Sequence, residues 1–478
     1  MKAVKVLTFI LAVSLIFSQI SLAEGNDKEQ NNDKTQVISI EDAVKTGLEN
    51  SIELKEVLNE VDISKLTDER SRFLSKELND ASKTISDSSQ QISMAQVALN
   101  NNTLPVAIDV PGVGHLSAGT DLSKLPASVS GAIKSQVSTQ IQNSSKSLAE
   151  GEQDFSNALQ DAGQTLSDKL NIASMESFGA DSTGKLMTTM SQVSMEVTKD
   201  SYDIYKNQIA MLIKKSYYDA LKAMKMADAK KAAMDRAQKQ VEFADESFKI
   251  GMLAKDDKLL AEIYYNGTKI EYQKAVGDYN NAIIELKKNT GIPADTKISL
   301  KDVPADNIEL PKLEDGLISG MKNRLEMKKS LGEETIYIAN YEFAKGYYDP
   351  ITFQYKEAEL RKNKAVIEFE KTKRDVESSI RQSYETLKST VQMMETSRDM
   401  VSKAKENVDI AQYKYKEGFG TDNSLMKKLN IESSAGTMVE VLAAEENLSD
   451  VEEKVVEITY GHNMARMKYY NDIGTNLY

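Results

Sequence analysis

The sequence predicts a mainly α protein: long antiparallel, coiled-coil-like helices in two structural repeats, with little or no β structure. Three observations predict it. The chain says the same thing twice: Ala237, Val241, Ala244, Phe248 and Gly251 recur as Ala404, Val408, Ala411, Tyr415 and Gly418, at a constant offset of 167 residues. A second pair opens each half, where Asp42, Gly47, Leu48, Asn50, Glu53 and Lys55 match Asp315, Gly320, Met321, Asn323, Glu326 and Lys328 at an offset of 273. Duplication at fixed spacing marks one architecture with internal pseudo-symmetry. Apolar residues recur at helical spacing over runs too long for one globular core, so each helix needs partners along its length. The chain has no Trp and only 6% aromatic residues, which suits a narrow seam filled by aliphatic side chains.

The elements follow in order. Lys2 and Lys5, the apolar run from Val6 to Ile20 and the small-x-small site Ser21-Leu22-Ala23 predict a signal peptide over residues 1–23, cleaved between Ala23 and Glu24. Residues 24–37 are polar and charged and predict a flexible leader. The first repeat is expected over 38–292. It opens with a capping signal at Ser39 and Asp42 and a helical region to about Leu99. Pro105, Pro111 and Pro126 with Gly112, Gly114 and Gly119 break the pattern. Residues 131–195 are rich in Ser, Gln, Ala and Asp, and predict weak helix with loops inside an insert at about 100–195.

From Glu196 to about Ile250 neither Pro nor Gly interrupts the periodicity, which predicts a helix roughly 80 Å long. Gly251 ends it. A further helix runs from about Asp256 to Asn289, and Gly291-Ile-Pro293 stops that one. Residues 293–312 form a linker. The second repeat, 313–474, predicts a helix from Leu313 to about Gly346 and a break at Gly346-Tyr-Tyr-Asp-Pro350. A long helix from about Phe353 to Glu417, a turn at Gly418 and a last helix ending at Gly474 complete it.

Composition excludes several classes of function. The chain carries 73 acidic and 60 basic residues, a net charge of −13, and losing Lys2 and Lys5 with the signal takes it to −15. With no basic block, nucleic acid is not an expected partner. The absence of Cys rules out disulfides and thiol chemistry. His115 and His462 lie far apart in sequence and give no metal signature. No catalytic constellation stands out, and no cofactor is implied. Gly112-x-Gly114 lacks the strand and helix context of a phosphate loop. Acids spread among lysines along the helices read as a solvated face. Tyr264-Tyr265 and Tyr469-Tyr470 read as seam packing.

The opening from Ile38 through Leu54 resembles the first helix of the TolC family of outer-membrane efflux and secretion ducts. The unit of long helix, glycine turn and long helix occurs twice, at Gly251 and Gly418. Each unit closes on a helix ending in glycine, at Gly291 and Gly474. The resemblance covers most of 38–99 and 197–474. It implies a homotrimer forming a hollow helical cylinder, a passive conduit across the cell envelope. Its partners would be a periplasmic adaptor and an inner-membrane pump, and its place the outer membrane. The adaptor-binding and entrance tips it implies carry Gly251, Asp256, Asp257, Gly418 and Asp422; Lys427 and Lys428 stand where relatives more often have an acid. The family also inserts a β-hairpin between the long helices of each half. A membrane strand needs roughly 9–11 residues. Residues 344–355 have room for one short strand at most, and two prolines interrupt the most strand-like piece of the insert, Thr103 to Val113. A reduced or missing barrel is therefore expected. The alternative is a structural or tethering helical protein of the envelope, without a pore.

Overall fold

The structure, a computed structural model, describes residues 36–170, 178–251, 254–301, 308–417 and 437–478. The cleavage pair Ala23 and Glu24 lies outside them. Strand β1 (Gln36–Ile38) leads into α1 (Ile40–Asn50). Ser39 caps α1: its hydroxyl accepts from the Asp42 N–H at 3.1 Å, and the Asp42 carboxylate accepts from the Ser39 N–H at 3.2 Å. Ser51 starts α2 (Ile52–Asn100) by accepting from the Leu54 N–H. A hairpin of β2 (Ile108–Val110) and β3 (Gly114–Leu116) follows, then α3 (Ala127–Leu170), α4 (Ala180–Lys249) and α5 (Lys255–Thr290). Strand β4 (Ile298–Leu300) returns beside β1 as a parallel pair. The second half holds α6 (Leu313–Asn323), α7 (Leu325–Tyr347), α8 (Phe353–Ser397), α9 (Met400–Lys416) and α10 (Met438–Asp472).

The structure differs from the sequence reading at several places. The described part of the Ser/Gln-rich stretch is mostly long helix: α3 runs unbroken for 44 residues, and α4 begins at Ala180 rather than near Glu196. At 70 residues α4 is about 105 Å long. Its early turns lack a strong apolar stripe, yet Leu186 is fully buried against Phe178, Leu166 and Ala344. Tertiary packing overrides weak propensity there. In the second half the long helix is broken at Arg398 and Asp399, between α8 and α9, where α4 continues. The 313–346 region is likewise two helices, parted at Arg324.

The duplication extends to atoms. Ala237 and Ala244 of α4 are buried, as are their matches Ala404 and Ala411 of α9. Shifting α5 by 183 residues lands on α10, so Ala261 matches Ala444 and Gly291 matches Gly474. Gly291 at φ +68° and Gly474 at φ +70° stop the two helices in the left-handed conformation. A Cβ on Gly47 would lie 2.3 Å from Cδ1 of buried Ile213, and one on Gly320 would lie 2.3 Å from Cδ1 of buried Ile380. Both repeats therefore bring α1 or α6 onto the long helix through the same glycine–isoleucine contact. Beside it the single proton of the Tyr217 hydroxyl is shared between the Ile38 carbonyl at 2.7 Å and the Lys301 carbonyl at 2.8 Å, tying the β1–β4 pair to α4.

Helix α4 is the spine, flanked by α2, α5, α7 and α10. Four apolar clusters line its length and the second repeat. The halves differ between their ascending and descending helices. The second half turns from α7 to α8 in residues 348–352, whereas the first half carries a helical hairpin. Ser75 packs on Gly184 and Ser191 donates to Asp68 at 2.9 Å, so α2 runs antiparallel to α4 and overshoots its start by about 30 Å. The overshoot pairs with α3: Ile92, Ala95 and Leu99 pack in one cluster with Ile133, Val137 and Ile141. A small core of Leu104, Leu122 and Ile133, roofed by the β2–β3 hairpin, closes its end.

Candidate entrance tips and the polar links above them

At the opposite end, α4 and α5 meet in a tight connection. Gly251 at φ +77° turns the chain, a conformation that a side chain would strain. Asp256 and Asp257 occupy the first turn of α5, where carboxylates favour the helix dipole. Asp256 is exposed and Asp257 half-buried. Asp245 of α4 holds the turn closed, accepting from Lys258 at 2.6 Å and pairing with Lys249 at 2.5 Å. The hydrogen bonds from Lys249 and Lys258 draw the Asp245 carboxyl down to about 2.

The second tip joins α9 to α10. Gly418 and Asp422 lie outside the described residues. The flanks are firm: Thr437 caps α10 by accepting from the Glu440 N–H, and Lys414 pairs with Glu440 at 3.0 Å. The helices leading to the two tips touch through Tyr415 of α9, whose ring meets Phe243 of α4 edge-on at 6.0 Å. Burial, then the charge of Asp257, pushes the Tyr415 hydroxyl up to about 12. Burial and neighbouring Asp256 in turn raise the Asp257 carboxyl. Asp256 and Asp257 thus sit together on the first tip, with Asp257 facing the second repeat.

Above the tips lies a polar link that the sequence reading missed. Glu445 of α10 is 2% exposed. Arg236 of α4 donates to it from Nε at 2.7 Å, Gln412 of α9 donates at 3.2 Å, and Arg236 reaches Glu452 from Nη2 at 3.2 Å. About two turns higher, Lys230 donates to Glu271 of α5 at 2.7 Å and pairs with Glu453 of α10. Burial opposes the Lys230 charge, but the bonds to Glu271 and Glu453 outweigh it and hold its pKa above the ordinary lysine value. These links fasten the α4–α5 pair to the α9–α10 pair. A signal was present: Glu445 falls seven residues after Met438, on the stripe α10 buries with Val441, Ala444 and Leu448. A groove of about 460 Å³ lies beside this link, lined in part by Lys239, Phe243, Lys405 and Asp409.

Among the described residues no group of three His, Asp or Glu could hold a metal ion. His115 sits on the exposed hairpin 2.8 Å from Asp109, and His462 is buried beside Thr390. No described helix is long and apolar enough to cross a membrane.

No protein-family profile matches the chain, and no curated protein does. Solved structures do. The outer membrane protein VceC of Vibrio cholerae is similar over 62% of this chain and 76% of its own, at 13% identity and a TM-score of 0.50. The CmeC outer membrane channel of Campylobacter jejuni is similar over 61% of this chain and 67% of its own, at 14% identity and a TM-score of 0.45. The outer-membrane channel OprN is similar over 62% and 72%, at 10% identity and a TM-score of 0.45. The class is thus a two-repeat body of long packed helices with little strand. More particularly, it is the helical fold of the TolC-type outer-membrane channels.

Proposed function

We propose that this chain is a TolC-like duct component, a passive conduit for export across the cell envelope that performs no catalysis. The observation that carries the reading is the duplicated helical body with a turn tip at Gly251. In this reading Gly251, Asp256, Asp257, Gly418 and Asp422 form the entrance and adaptor-binding tips. A periplasmic adaptor and an inner-membrane pump are the partners, and a homotrimer is the working form. The chain divides at the linker 293–312 into repeats 38–292 and 313–474, after a signal peptide cleaved at Ala23. Export to the envelope, with placement in the outer membrane, belongs to the same reading. Deleting the gene is expected to block export of a cargo or raise the cell's content of pump substrates, and the intact chain should restore it. Unchanged export and accumulation in the deleted cell would sink the proposal.

One observation favours a second reading, a helical tether of the envelope without a pore. The second repeat crosses from α7 to α8 in residues 348–352, and the first carries a helical hairpin at the matching place. Ion conductance through reconstituted oligomers would exclude the tether.

A further inference from the structure

The groove beside the Arg236–Glu445 link runs between α4 of the first repeat and α9 of the second. Lys239 and Phe243 stand one turn apart on α4, and Lys405, Asp409, Gln412 and Lys416 follow one face of α9. Phe243, Val408 and Leu448 supply the apolar lining, the last two of them buried.

The charges of this lining do not balance. Arg236 is held by Glu445 and Glu452. Lys239, Lys405 and Lys416 are exposed, and among the described residues none of them pairs with a carboxylate. Lys416 stands 5.7 Å from the centre of the Phe243 ring. Apart from Glu445, Asp409 is the one carboxylate of the lining, so three lysines against one aspartate leave a surplus of two positive charges. The chain as a whole has a net charge of −13, and a positive groove runs against that sign.

The duplication shows how the surplus arises. Lys416 matches Lys249 of the first repeat, and Gln412 matches Asp245. Asp245 pairs with Lys249 at 2.5 Å. Glutamine at 412 takes away the carboxylate that would hold Lys416, and its amide donates to Glu445 instead. Lys239 and Phe243 match Glu406 and Ile410, so neither belongs to the repeated plan. Ammonium groups gathered without counter-charges repel one another, and a bound anion turns that repulsion into attraction.

We propose that this groove binds a small multivalent anion, a phosphate ester or a polycarboxylate. Its charged groups would meet Lys239, Lys405 and Lys416, and its apolar part would lie on Phe243. The volume of about 460 Å³ falls in the range of small-molecule sites, roughly 300–1,000 Å³. Lysines on long stems reach such groups as point charges. An anion held from α4 on one side and α9 on the other ties the two repeats together above the tips, beside the link that Arg236 and Glu445 already make. The site goes beyond the duct reading and stands without it.

Isothermal titration of residues 24–478 with pyrophosphate and with citrate, at constant ionic strength, tests the proposal. At least one probe is expected to bind; pyrophosphate alone would mark a phosphate site, citrate alone a carboxylate site, and both a site for either. Lys239→Gln, Lys405→Gln and Lys416→Gln should each weaken the bound probe about tenfold, the loss of one charge-assisted contact. These side chains are exposed, so helical circular dichroism should stay unchanged. Lys231→Gln, at an exposed lysine of α4 outside the groove, should leave binding as it was. Hydrogen exchange should slow on both α4 and α9 when the probe is bound. Absence of binding by both probes at millimolar concentration would overturn the proposal. So would equal weakening by Lys231→Gln, or slowed exchange on one of the two helices only. Binding in the groove while gene deletion leaves export unchanged would keep the site and remove the duct reading.

Discussion

Glu445 is a carboxylate enclosed by protein, and its stability depends on Arg236. Removing the guanidinium by Arg236→Ala leaves that charge buried and unpaired, which costs about 3 kcal/mol. Glu445→Gln keeps the shape and a hydrogen bond, so it should cost distinctly less; urea unfolding of both variants measures the difference. Gly47 and Gly320 are tested the same way. Each added methyl must displace an isoleucine that is itself fully buried, so Gly47→Ala and Gly320→Ala should each lose about 1–3 kcal/mol. The two losses should be similar, since both glycines meet the same atom at the same distance. Asn340 predicts the opposite sign. It is buried on α7, and neither amide atom has a hydrogen-bond partner among the described residues. Asn340→Leu should raise the unfolding midpoint, because an apolar side chain of similar size removes an unmet desolvation cost.

Among the elements, the α4–α5 turn should respond to acid. The Asp245 carboxyl is held at about 2 against an ordinary 3.8. A depressed folded pKa contributes stability that is present above the unfolded value and is lost as pH falls towards the folded one. The turn should therefore loosen between about pH 4 and pH 2, and the NMR titration of Asp245 should show a midpoint near the lower limit. Lys258→Ala should move that midpoint up. This turn was legible in the sequence, because Gly251 followed by acids at a helix start is local chemistry. The helix stops at Gly291 and Gly474 were legible for the same reason. Helix α3 and the first turns of α4 were not: their Ser, Gln and Thr residues have indifferent helix propensity, and only contacts with α2, α7 and each other make them helical. The break at Arg398 and Asp399 has no Pro or Gly to announce it. The Arg236–Glu445 link hid among many lysines and acids, since charge alone does not reveal which side chains become buried.

For the whole molecule, the hairpin of α2 and α3 is the departure that most alters the outline. Its overshooting part packs on itself and not on α4. Deleting residues 80–152 and closing the gap with a short glycine-containing turn should leave the unfolding transition of the body unchanged. The helical circular dichroism should fall only in proportion to the residues removed. A cooperative loss of all structure would show that the hairpin supports the body. The two-repeat plan itself was readable from two constant offsets, and the extra length of the first half from their difference. What filled that length was not, because pairing across a hairpin is a long-range property. The α4–α7 junction has a kinetic consequence. Its two faces belong to one covalent chain, so each meets the other at a concentration that no dilution of the protein changes.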